Sequence, residues 1–169
     1  VLAICVIAAG LATKPTTASA SRVGDAKSWL SAQVNENGGF GMQPGDNSSL
    51  EMTATAMIGL GKTGKDIQSV KSSSGNTPFT YLKKNSGDID HASILAKAIL
   101  ALNAVNENPR SLGGVDLVSR LERKMKDNPT SSGKVNVAAY SLMALRAVRV
   151  ESSRLTDTEK WLCKAQNND

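Results

Sequence analysis

Three stretches of this chain, Leu50–Leu60, His91–Val105 and Val137–Val148, are apolar on nearly every face of a helix. Each follows a stretch that is apolar along one stripe only: Val23–Val34, the segment opened by Thr77-Pro78, and Val115–Lys126. A helix with one apolar stripe lies on a surface, and a helix apolar all round must be covered on most sides. The alternation therefore predicts an all-α fold in two layers, with amphipathic helices outside and apolar helices inside. Taking Leu30, Leu82, Leu121 and Leu162 as equivalent, the steps are 52, 39 and 41 residues. A period near forty belongs to stacked helix pairs. The inner stretches are shorter than the roughly 20 residues that cross a bilayer, so no membrane span is expected.

Local signals place the boundaries. Gly38-Gly39 ends the first helix, whose stripe Val23, Ala26, Trp29, Leu30 and Val34 is expected to face the core. Ser48 with Glu51 reads as a capping box for the second helix. Lys65–Asn76 is polar and serine-rich and reads as an irregular connection. Pro78 suits the first position of a third helix carrying Phe79, Tyr81 and Leu82. Thr156 with Glu159 reads as a second capping box, opening a seventh helix with Trp161 and Leu162.

The first twenty residues are set apart from this pattern. Val1–Ala12 is an apolar run, and Ala18-Ser19-Ala20 follows as an A-x-A cleavage site. Together they read as a secretory signal peptide lacking its start, with one domain, 21–169, behind it. Protein exported by a cell is therefore expected to begin at Ser21, which N-terminal sequencing checks. Cleavage takes away Cys5 and Lys14 and lowers the net charge from +5 to +4. Cys163 is then a lone thiol, expected as a small buried apolar residue. The basic residues are spread along the chain, and Arg120–Lys126 has the spacing of a solvated helix face. No aromatics are interleaved with them, so no nucleic-acid surface is expected.

Trp161-Leu162-Cys163-Lys164-Ala165-Gln166 repeats the frame of Trp29-Leu30-Ser31-Ala32-Gln33-Val34, and Gly38-Gly39-Phe40 follows the first copy. In these residues the chain resembles the squalene cyclase and protein prenyltransferase repeat superfamily, the α/α toroids, as a secreted bacterial-type member. Their repeat runs roughly W-L-x-x-x-Q-N-x-D-G-G-F/W before an alanine- and leucine-rich helix. Trp29, Leu30, Gly38, Gly39, Phe40, Trp161, Leu162 and Gln166 match it. The resemblance implies an α/α toroid closed by about six helix pairs. This chain supplies three pairs and one further helix, so more repeats are expected after Asp169.

Three functions are compatible with such a repeat. The favoured one is a secreted or cell-surface, non-catalytic module that binds a protein or a small ligand, with no cofactor. The second is a terpene-type cyclase or prenyltransferase-like enzyme. Asp88-Ile89-Asp90-His91 resembles the D-x-D-D motif of class II cyclases, which would make Asp90 the acid, but His91 stands where the last aspartate belongs. The plainer reading makes Asp88 or Asp90 an N-cap. The third is a small-ligand carrier, such as one for cobalamin, which the resemblance implies would need a β-rich domain. A zinc site needs converging ligands, and His91 is the sole histidine, so no metal is expected. Any ligand is expected weakly, at the rim where the inner helices begin, among Asp88, Asp90, His91, Asn136 and Tyr140.

Overall fold

The computed structural model describes residues 17–128, 133–151 and 153–166. Among them are seven α-helices: α1 Thr17–Ser31, α2 Leu50–Lys62, α3 Pro78–Lys84, α4 Ala92–Ala104, α5 Leu117–Asp127, α6 Val135–Ala147 and α7 Ser153–Lys164. Two short 3-10 turns, Ile67–Ser69 and Ser86–Asp88, lie before and after α3. The only sheet-like pairings among the described residues are two isolated bridges, Phe40 with Ser49 and Leu112 with Val115.

The inner layer is α2, α4 and α6. Both α2 and α6 pack along α4, while α3 packs on α2, α5 on α4 and α7 on α6. Glu51 at the start of α2 meets Lys97 in the second turn of α4. Gly61 near the end of α2 lies against Ala104 and Val105 at the end of α4. The two helices are therefore parallel. His91, Ala92 and Ser93 at the start of α4 share a cavity with Lys134 and Val137 at the start of α6, and Lys97 stands over the Tyr140 ring, so α6 runs the same way. The core follows from the apolar pattern: Leu95, Ala96, Ala98, Ile99, Ala101 and Leu102 of α4 are wholly buried.

The joint between α1 and α2 is tied by polar side chains. Gly38 takes φ +88°. Asn37 Oδ1 accepts hydrogen bonds from the Gly39 N–H and the Ser48 hydroxyl. The Phe40 N–H donates to Thr53 Oγ1 inside α2, and the Phe40 ring is buried. Residues 72–76 of the expected irregular connection are pinned to the same turn. Ser72 Oγ and Asn76 Nδ2 donate to the Glu36 carbonyl, and the Ser73 and Ser74 hydroxyls donate to its carboxylate.

Several expectations need correction. Trp29 is 59% exposed and Val23 49%, and α1 ends at Ser31, so the expected stripe meets the core only through Leu30 and, beyond the helix, Val34. The cap of α2 is Ser49, which accepts from the Met52 N–H, because Ser48 is engaged by Asn35 and Asn37. α7 starts three residues before Thr156, and Glu159 receives Arg146 instead of closing a capping box. Cys163 is exposed. α1 begins at Thr17, ahead of the expected cleavage point, and the apolar run lies outside the described residues.

Candidate functional site

One face of each of the parallel helices α2, α4 and α6 borders a common groove of about 400 Å³: Thr55, Ile58 and Lys62 of α2, Lys97, Leu100 and Asn103 of α4, and Tyr140, Met143 and Ala147 of α6. Ile58, Leu100 and Met143 give it apolar lining, and Thr55, Lys62, Lys97, Asn103 and Tyr140 bring polar groups to it.

Lys97 is the single charged residue of α4 and is half-buried. Its Nζ donates to Glu51 Oε1 at 2.6 Å and lies 5.2 Å from the centre of the Tyr140 ring. A cation taken partly out of water needs such partners: a carboxylate that neutralises it and a π face that attracts it. The ion pair joins α2 to α4, and the ring joins both to α6.

The rim residues expected from sequence divide between two places. Tyr140 lines the groove just described. His91 lines a separate cavity of about 230 Å³, with Ser93, Lys124, Met125, Lys134 and Val137 among its neighbours. Asp88, Asp90 and Asn136 are exposed. Neither aspartate caps α4: His91 holds the N-cap position, without a side-chain cap bond. Ile89 is buried between the two aspartates, and the Arg120 guanidinium donates to the carbonyls of Ser86, Gly87 and Ile89. This anchoring turns Asp90 outward to Lys124, 2.8 Å away.

Lys124, by its hydrogen bond and then its charge, holds the Asp90 carboxyl below the usual carboxylate range. A depressed carboxyl stabilises the fold fully above its unfolded pKa, about 3.9, and loses that contribution as pH falls through the folded value. Lys124→Met is therefore expected to raise the Asp90 titration, followed by NMR, toward the ordinary carboxylate range. Added salt should move it in the same direction, since the pair is exposed.

No family model, curated protein or solved structure matches this chain. The chemistry must therefore be read from the residues themselves. Among the described residues no three of His, Cys, Asp and Glu gather as a metal site, and no helix is long and apolar enough to cross a membrane. Of the repeat-motif residues, Phe40, Gly38 and Gly39 are buried, Leu30, Trp161 and Leu162 half-buried, and Trp29 and Gln166 exposed. The groove residues Thr55, Ile58, Lys62, Lys97, Leu100, Asn103 and Met143 fall outside the rim expected from sequence. One signal points to them: a lone lysine inside an otherwise apolar helix.

Proposed function

We propose that this chain is a non-catalytic binding module. In this reading it is part of a secreted or cell-surface α/α toroid, and its ligand lies across the groove of α2, α4 and α6. The observation that carries this is one groove that joins the apolar side chains of Ile58, Leu100 and Met143 to polar groups, with the Lys97 cation fixed among them. Such a layout suits a ligand with an apolar body and a polar or anionic end. Outer helices backing parallel inner ones support the toroid, and further pairs beyond Asp169 belong to the same reading. Val1–Ala12 and Ala18-Ser19-Ala20 support export.

The state of Asp90 favours binding over turnover. A general acid must hold its proton at the working pH. Asp90 is exposed and bonded to a lysine that lowers its pKa, the reverse of what protonating an alkene requires. The π face of Tyr140 is also already approached by Lys97.

The open groove predicts weak affinity, with a Kd on the order of 1 mM for dodecanoate. Isotope-labelled chain titrated with dodecanoate should show amide shifts confined to 55–62, 97–103 and 140–147. Met143→Glu sets a carboxylate in the groove lining at a residue already 55% exposed, and should weaken binding about tenfold or more. Shifts elsewhere, or shifts unchanged in that variant, would overturn the groove as the site. A cyclised product from a linear isoprenoid, lost in Asp90→Asn, would overturn the non-enzymatic reading.

A further inference from the structure

The groove of α2, α4 and α6 has two ends, which contacts inside the fold locate. Toward the starts of the helices, the Lys97 ammonium meets Glu51 of α2 and the Tyr140 ring of α6. Toward their finish, Gly61 of α2 lies against Ala104 and Val105. Lys62 and Asn103, the chain neighbours of Gly61 and Ala104, line the groove at that end. Asn103 stands six positions after Lys97, about 9 Å farther along the helix axis. Leu100 lies between them in α4 and lines the groove with Ile58 and Met143.

Among the described residues lining the groove, two carry charge, Lys62 and Lys97, and their situations are opposite. Lys97 is half-buried and already engaged, by the Glu51 carboxylate at 2.6 Å and by the Tyr140 ring. An anion brought to the same ammonium would be held close to that carboxylate and repelled by it. Lys62 is exposed, and no carboxylate among the described residues pairs with it. The exposed Asn103 amide adds a second donor at its end of the groove. Arg146, the cation in the last turn of α6, is taken by Glu151 and Glu159.

The negative end of a helix dipole opposes an anion. Here that effect is blunted, because the last carbonyls are closed. Those of Gly59, Leu60 and Gly61 accept from the N–H groups of Thr63, Gly64 and Lys65, and that of Leu102 accepts from Val105 and Glu107.

We infer that the groove takes an aliphatic monoanion in one sense only, its anion on Lys62 and Asn103 and its chain running over Leu100, Ile58 and Met143 toward Tyr140. This deepens the binding-module reading and rests on the groove being the site. Lys62 is then the residue that sets charge preference, while the Lys97–Glu51 pair presents a neutral end. A cationic head on the same chain is repelled by Lys62, and Glu51, the carboxylate nearest the groove, is occupied by Lys97.

Two probes with the same chain and opposite heads test this, dodecanoate and dodecyltrimethylammonium, each titrated below its micelle concentration into isotope-labelled chain. Dodecanoate is expected to bind about threefold tighter or more, the range of an exposed ion pair. The preference should fade with added salt. The differences in amide shift between the two probes should be largest at 62 and 103 and small at 97 and 140. Lys62→Gln should remove the preference, and Lys62→Glu should reverse it. Lys62 is exposed, so both variants leave the core untouched. If neither probe shifts the groove amides, the groove is not the site, and the inference falls with that reading. Binding in the groove with equal affinity for both probes would overturn the inference alone. So would head-group differences centred on 97 and 140, or an order of affinity unchanged by Lys62→Glu.

Discussion

Gly38→Ala is expected to cost about 3 kcal/mol, lowering the melting temperature by about 10 °C for a chain of this size. Two effects combine. At φ +88° a side chain costs roughly 1–2 kcal/mol in left-handed strain. The new Cβ would also stand 2.5 Å from the Thr77 carbonyl oxygen, so backbone has to move. Thr77 is the N-cap of α3 and closes a capping box with Thr80, so the disturbance reaches the next helix. Gly45 separates the two effects. It has the same φ of +88°, and a methyl group added there would meet nothing within 4 Å, so Gly45→Ala should cost only about 1 kcal/mol. Equal melting temperatures for the two variants would show that the approach to Thr77 is not what requires glycine at 38.

Leu102→Ala is expected to cost about 3–4 kcal/mol, because α4 is covered by α2, α5 and α6 and a cavity there has little room to collapse. Leu102 is wholly buried. Leu100 is the same residue type two positions earlier, but it lines the open groove and is only half-buried. Leu100→Ala should therefore cost about 1 kcal/mol or less. Urea unfolding of both variants gives the comparison. A loss for Leu100→Ala as large as for Leu102→Ala would mean that the groove is filled in solution.

The inner helices are legible in the sequence because their signal is strong and local. Eleven or more residues in a row with few charges leave no other reading, and the observed bounds differ from those expected by a few residues. The caps are less legible because adjacent residues compete. Ser48 and Ser49 are chemically alike, and what decides between them is Asn37, eleven residues upstream, which takes the Ser48 hydroxyl. The tie between Glu36 and residues 72–76 leaves no trace in the pattern, since hydrogen bonds between loops some forty residues apart have no period. Trp29 shows a different limit. Its stripe reads as a surface meant to be covered, but a stripe does not say what covers it. For the candidate site, the apolar pattern alone puts Tyr140 on an inner helix. Its partner Lys97 requires the register between α4 and α6, which no single helix reveals. Asp90 stands out for its motif, and its orientation depends on Arg120 gripping the three carbonyls around it.

The central place of α4 sets an order in which the molecule should come apart. Each helix pair is held by its neighbours, so local opening starts where neighbours are fewest. Amide exchange should be fast in α1 and α7, slower in α2 and α6, and slowest in α4, whose escape requires the whole array to open. Between the ends the order is not symmetric. The Gly38 turn and the Glu36 staple bind the first pair to the second through bonds that α6 and α7 do not share. Below the denaturation temperature, the protein should therefore lose its C-terminal end first and keep residues 35–104 as its last protected unit.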